Sequence, residues 1–207
     1  MTFRNLQWLF PIAVTLHNAE EGIWMPRWSA GHAAQLPVHS PGAAGIIAAL
    51  VVFTAAAFAV TYLSARRGPE SIWAYLTFGY IVAMLANVFV PHVPAAIVFH
   101  GYAPGVVTAV LINLPVMSIL LICMLREGWV HGWKMTVFGI GVPLMLGGVI
   151  VAWGQTDIYD PASELHQRFA IGVTSTGRYH SIDPGKLTMA PHFAEICTAR
   201  ILQDNVR

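Results

Sequence analysis

The stretch AAGIIAALVVFTAAAFAVTYL, residues 43–63, contains no charged side chain along its whole length. An α-helix needs about 20 consecutive apolar residues to cross the hydrocarbon core of a bilayer, and this stretch supplies them. It is followed by Arg66-Arg67-Gly68-Pro69, where two charges and two helix-breaking residues end the apolar pattern. The stretch therefore predicts a transmembrane helix.

Four further segments have a similar length and composition. They are roughly Leu6–Met25, Ser71–Val90, Gly105–Leu125 and Trp133–Trp153. We expect Pro91 to end the segment Ser71–Val90, and Pro115 to kink the segment Gly105–Leu125. Residues 91–105 contain three prolines and fit either a short external loop or a re-entrant segment. The sequence thus predicts an all-α fold, a polytopic membrane bundle of about five transmembrane helices over residues 1–154.

The composition of the chain agrees with a membrane protein. Its 207 residues are 56% hydrophobic and 10% charged, whereas a soluble domain has about 25% charged residues. The net charge of +1 gives no basic surface for a nucleic acid, so the expected partner is the lipid bilayer. Residues 155–207 are more polar, and we predict a C-terminal tail with short helices or partial disorder.

The charges between the segments predict an orientation. Five basic residues fall on the side of the N-terminus: Arg4, Arg66, Arg67, Arg126 and Lys134. The loops on the other side hold only Arg27. Because cytoplasmic loops are enriched in Lys and Arg, we expect the N-terminus in the cytoplasm and the tail outside.

Ionisable side chains cluster within the first segment. His17, Glu20 and Glu21 are three and four positions apart, so both carboxylates can lie beside the imidazole on a helix. Charged groups are costly inside a bilayer and usually mark a functional site. The predicted topology places them in the outer half of the membrane. Asn87 and His92, near the outer end of the segment Ser71–Val90, lie at the same depth.

A further pair of polar residues, His100 and Tyr102, directly precedes the segment Gly105–Leu125 on the same side of the membrane. The candidate metal ligands are His17, Glu20, Glu21, His92 and His100. Such mixed nitrogen and oxygen donors suit a divalent metal, zinc first, with iron or manganese as alternatives. The structural alternative is a solvated cluster at the membrane surface.

Four of these polar residues are candidate catalytic groups. Either glutamate, Glu20 or Glu21, could act as a general base while the other binds the metal. Asn87 could orient a ligand or stabilise an oxyanion. Tyr102 could donate a proton or hold a substrate head group.

The order of these residues resembles a known family. His17-x-x-Glu20-Glu21, then Asn87 and His92, then His100 before Tyr102-x-Pro104-Gly105 and Thr108, resembles the HXXEE-motif family of small bacterial multi-pass membrane proteins. The likeness covers about residues 6–125. It implies a bacterial inner-membrane protein in which these residues belong together, and it implies no reaction because the family has no established activity.

Two hypotheses from different functional classes follow. The first is a metal-dependent membrane enzyme, a hydrolase of a lipid-like or membrane-embedded substrate. The second is a non-enzymatic carrier or binder of a proton, a metal ion or a small amphiphile, because intramembrane carboxylates and histidines also serve as proton relays. A small structural membrane protein with a polar rim is the third alternative.

Overall fold

A computed structural model of the chain describes residues 2–33, 36 and 42–154. All regular structure within these residues is helical, which confirms the predicted fold class. The α-helices are α1 (Phe3–Leu6), α2 (Leu9–Gly31), α3 (Ala43–Arg67), α4 (Ile72–Asn87), α5 (Val93–Val98), α6 (Val106–Thr108), α7 (Leu114–Arg126) and α8 (Trp133–Gly154). Two short π-helical turns, Val88–His92 and Ala109–Asn113, join α4 to α5 and α6 to α7. The predicted tail, residues 155–207, lies outside the described residues.

Within the described part of the chain, four helical segments are long and apolar enough to cross a membrane. They are Ala43–Arg67, Ile72–Val98, Val106–Arg126 and Trp133–Trp153. Helix α2 has 23 residues, which is also a spanning length, but its polar cluster lowers its hydropathy. The bundle therefore consists of four apolar helical segments and one N-terminal helix that carries the ionisable side chains. Integral membrane proteins have this composition.

One of the two prolines changes its helix in a different way from the sequence-based expectation. Pro91 does not end the segment that was predicted over Ser71–Val90. This segment continues through the first π-turn and α5. Instead the chain kinks at Val90, which has extended backbone angles (φ −148°, ψ 111°). Pro115 lies within the continuous helical segment Val106–Arg126, directly after the second π-turn, so its missing N–H leaves a carbonyl of that turn without its helical donor. The irregular backbone there precedes the proline, in the second π-turn.

Helix α4 is central to the bundle, since it packs against α3, α7 and α8. Its N-terminus is capped by Ser71, whose hydroxyl accepts a hydrogen bond from the Ala74 N–H at 3.1 Å. A glycine permits close contact with α8: a Cβ on Gly79 would lie 2.4 Å from the Phe138 carbonyl oxygen. The buried face of α4 thus fixes the position of the π-turn that follows it.

Helix α2 is held against α3 by a polar side chain. The Asn18 amide donates hydrogen bonds to the Leu50 carbonyl at 3.1 Å and to the Thr54 hydroxyl at 2.8 Å. Interhelical hydrogen bonds of this kind hold helices together in lipid, where burial of apolar surface provides no driving force. They set the rotation of α2 about its axis, so that His17 and Glu21 lie next to the first π-turn.

Candidate metal centre

Three potential metal ligands converge between α2 and the first π-turn. His17 Nε2 lies 3.8 Å from Glu21 Oε1, one helical turn further along α2. His92 Nε2 lies 3.4 Å from the same oxygen. The imidazoles are 1% and 3% exposed and the Glu21 side chain 14%. One donor atom from each residue lies within 4.8 Å of the other two.

The kink at Val90 brings His92 to this position. Residues five apart on a regular α-helix differ by about 140° around the axis, so Asn87 and His92 would point in different directions. The extended Val90 interrupts this rotation, and Asn87 Nδ2 lies 2.9 Å from His92 Nε2. The irregular turn therefore aims the histidine at α2, and π-type irregularities are often found at functional sites.

The hydrogen bonds of the two imidazoles determine their tautomers. His92 Nδ1 lies 3.0 Å from the Pro104 carbonyl oxygen, which can only accept, so this nitrogen carries the proton. His17 Nδ1 lies 3.0 Å from the Thr108 hydroxyl oxygen. That hydroxyl donates to Glu20 Oε2, so it accepts from His17. Both rings are therefore protonated at Nδ1 and present the lone pair of Nε2 to the centre, as metal-binding histidines do.

The Asn87 amide occupies the position between the two lone pairs. Its Nδ2 lies 2.9 Å from His92 Nε2 and 3.2 Å from His17 Nε2. An amide nitrogen has two N–H groups, so one side chain can donate to both rings. Asn87 thus makes with the two imidazoles the interactions that a cation would otherwise make.

Glu20 lies beside this group but is engaged elsewhere. Its Oε1 accepts a hydrogen bond from the Tyr102 hydroxyl at 2.7 Å, and its Oε2 accepts from the Thr108 N–H at 2.8 Å and from the Thr108 hydroxyl. Partial burial and then the bond to Glu20 raise the pKa of the Tyr102 hydroxyl, so it stays protonated and donates. Glu20 therefore acts on His17 through Thr108.

The five predicted ligands separate into two sets. His17, Glu21 and His92 come together, whereas Glu20 is turned to Thr108 and Tyr102. His100 is exposed in the turn after α5, with a φ of 50°, and is not among the converging donors. Of the predicted catalytic groups, Asn87 contacts both histidines and Tyr102 contacts only Glu20.

Three contributors to the site were assigned no role by the sequence analysis. They are the Thr108 hydroxyl, the Pro104 carbonyl and Gly105. Gly105 has a φ of 83°, and a Cβ there would lie 2.6 Å from His92 Cε1, 2.9 Å from His17 Cε1 and 3.0 Å from Glu21 Cγ. Backbone alone therefore closes this side of the site. The Pro104-Gly105 pair is a sequence signal for a turn, although not for this packing.

Comparisons with known proteins show which family the chain resembles. Residues 8–120 match a family described as a protein of unknown function with an HXXEE motif. The chain is also similar to the uncharacterized protein YrkK of Bacillus subtilis (strain 168), with 33% identity over 144 residues, which are 69% of this chain and 87% of that protein. No solved structure matches the chain.

Proposed function

Because the chain belongs to the HXXEE-motif family of proteins of unknown function, we propose its function from the site itself. His17, Glu21 and His92 bind one divalent metal ion, and the protein is a membrane hydrolase of a lipid-like or membrane-embedded substrate. One observation carries the proposal: two buried imidazoles, whose Nδ1 protons are held by other groups, direct their Nε2 lone pairs to a common position beside Glu21 Oε1, where the Asn87 amide donates to both.

The donor set and its spacing fit such an ion. Two histidines and one glutamate are the protein ligands of many zinc hydrolases, which leave a fourth position for water. Bonds of about 2.0–2.2 Å put two ligands of a tetrahedral ion about 3.4 Å apart. The Glu21 oxygen lies 3.4 Å from one imidazole nitrogen and 3.8 Å from the other. Zinc is our first choice, and iron or manganese can use the same donors.

The residues around the metal ligands have different roles in the proposed hydrolysis. A bound divalent ion lowers the pKa of a coordinated water to about 7 and polarises a carbonyl group. Both oxygens of Glu20 already accept hydrogen bonds, whereas Glu21 Oε2 has no hydrogen-bond partner within the described residues. We therefore assign the proton acceptor to Glu21 Oε2. With those two lone pairs engaged by an ion, the Asn87 amide would be free to donate to the substrate oxygen.

Glu20 and Tyr102 have a supporting role in this proposal. The chain from Tyr102 through Glu20 and Thr108 to His17 fixes the orientation of that imidazole and increases its basicity. Partners of this kind typically contribute 10–100-fold in metal affinity or activity. The proposal also includes the predicted orientation, with the centre near the outer membrane face and the N-terminus in the cytoplasm.

Elemental analysis of the protein purified in detergent tests the proposal. We expect about one equivalent of metal in the wild type and a loss of that metal in His17→Ala and in His92→Ala. His100→Ala is the matched control, since it removes an exposed imidazole from the same end of the bundle and should retain the metal.

Circular dichroism of each variant separates loss of ligand from loss of fold. Wild-type protein that is folded but contains no stoichiometric metal, also after incubation with zinc, would refute the metal centre. Retention of the metal in both His17→Ala and His92→Ala would do the same. Proton or ion flux in proteoliposomes that is lost in Glu20→Gln, without bound metal, would support the carrier hypothesis instead.

A further inference from the structure

An apolar cavity adjoins the candidate metal centre. Its volume is about 550 Å³, and residues of α2, α3, α4, the first π-turn and α8 line it. His17, Glu21 and Asn87 belong to its wall, together with apolar side chains such as Leu50, Met84 and Ile150. Cavities of about 300–1,000 Å³ with mostly apolar walls and a few convergent polar groups are typical of small-molecule sites.

The side-chain donors elsewhere on the wall already have acceptors within the protein. The Asn18 amide donates to Leu50 and Thr54, and the Tyr80 hydroxyl donates to the Phe53 carbonyl at 2.9 Å. Among the described residues, the other side chains of the wall offer a ligand no unengaged N–H or O–H group, so its polar group is held at the His/Glu/Asn end. A molecule that fits has one polar group and a long apolar part.

The charges of the wall restrict the polar group. None of the arginines and lysines in residues 2–33, 36 and 42–154 lines the cavity. Sites for phosphate groups normally use arginine, lysine or the N-terminus of a helix. A neutral carbonyl, as in an ester, fits these groups better than a phosphate head group.

Access to the cavity is from the side of the bundle. At one end α8 is joined to α3 by a hydrogen bond from Trp153 Nε1 to the Gly45 carbonyl at 3.1 Å. Gly147, Ile150 and Val151 of α8 line the cavity and are also exposed. In a bilayer these positions face lipid, so an apolar chain can enter without passing through water.

We propose that this cavity binds the acyl chain of a neutral single-chain ester and presents its carbonyl to the His17/Glu21/Asn87 end. The hydrolytic part rests on the proposed function. In that step water adds to the acyl carbon and the bond from this carbon to the ester oxygen breaks. The fatty acid keeps the hydroxyl of water, and Glu21 passes the second proton to the leaving alcohol.

Two glycines of α8 provide a matched test. A Cβ at Gly147, which lines the cavity, and a Cβ at Gly141, which does not, would each meet no heavy atom within 4 Å. Gly147→Leu therefore places a side chain at the lateral opening of the cavity, where it blocks entry, and Gly141→Leu is its control on the same helix. The probe is 1-palmitoylglycerol in detergent micelles, with binding measured by native mass spectrometry and palmitate release by chromatography.

We expect the wild type and Gly141→Leu to bind the probe equally, and Gly147→Leu to bind it at least tenfold more weakly while keeping its metal content. 1-Palmitoyl lysophosphatidic acid, which has the same chain and a phosphate head, should bind more weakly than the glycerol ester. Equal binding by Gly147→Leu, or a preference for the phosphate compound, overturns the proposal.

The metal content separates this test from that of the proposed function. If the wild type holds no metal but Gly147→Leu still loses the probe, the metal centre is refuted and the cavity assignment stands. If the metal is present and the probe binds but no palmitate is released, the ester is refuted as the substrate. A loss of metal in Gly147→Leu alone would count against the cavity assignment.

Discussion

Replacement of Gly105 by alanine is the sharpest test of the site geometry. The backbone there has a φ of 83°, and a left-handed conformation costs an L-residue about 1–2 kcal/mol. The new Cβ would also lie 2.6 Å from His92 Cε1 and 2.9 Å from His17 Cε1. Overpacking of this kind costs about 1–3 kcal/mol. We therefore expect Gly105→Ala to lower the free energy of unfolding by about 2–5 kcal/mol.

Two other glycines separate the two causes. Gly128 has a φ of 66°, but a Cβ there would meet no heavy atom within 4 Å, so Gly128→Ala reports the conformational cost alone. A Cβ at Gly101 would meet only the Phe99 carbonyl oxygen at an ordinary 3.7 Å, so Gly101→Ala reports neither cost. The contact term of about 1–3 kcal/mol corresponds to a difference of about 2–12 °C in Tm between Gly105→Ala and Gly128→Ala.

The assay is thermal unfolding in detergent, with and without zinc, together with elemental analysis. We expect Gly105→Ala to lose both stability and metal, because its Cβ displaces both histidines, and Gly128→Ala to lose only stability. If Gly105→Ala unfolds at the same temperature as Gly128→Ala and retains its metal, the close contact between this glycine and the imidazoles is refuted.

Three further predictions concern the hydrogen bonds of the site. Asn87→Ala removes two hydrogen bonds of about 0.5–1.5 kcal/mol each from the metal-free protein, so thermal unfolding without zinc should show a free energy of unfolding lower by about 1–3 kcal/mol. The zinc affinity of this variant should not fall. A loss of zinc affinity as large as that of His92→Ala would contradict this prediction. Thr108→Val removes the acceptor of His17 Nδ1, and calorimetry should show zinc affinity about 10–100-fold weaker, whereas an unchanged affinity would exclude this role. Tyr102→Phe removes a phenol of raised pKa, so the difference between the ultraviolet titrations of wild type and variant should have its midpoint above about pH 10; a midpoint at or below it would contradict the bond to Glu20.

The length and composition of the apolar segments were enough to predict the all-α membrane fold, since a bilayer admits few alternatives. The pairing of His17 with Glu21 was also predictable, because neighbours at i and i+4 on a helix are local in sequence. The choice between Glu20 and Glu21 was not. Adjacent residues differ by about 100° around the helix, and the rotation of α2 is set by the distant contact of Asn18 with Leu50.

The separation of His92 from His100 depends on backbone that no local pattern encodes. Proline at position 91 indicated an interruption, and the sequence analysis took it as the end of a helix. The structure shows a kink and a continued helix, which turns His92 inward and leaves His100 exposed. The packing of the site against Gly105 could not be predicted either, since a glycine after a proline indicates a turn but not which side chains contact it.

The kink at Val90 opposes folding stability to the geometry of the candidate metal centre within the segment Ile72–Val98. An unbroken α-helix would regain regular backbone hydrogen bonds, which are valuable where no water can replace them. The same straightening of the helix would rotate His92 away from Asn87 and separate the converging donor atoms. Stabilised variants selected for a straighter segment Ile72–Val98 should therefore bind zinc more weakly than the wild type, as expected where function requires an irregular backbone.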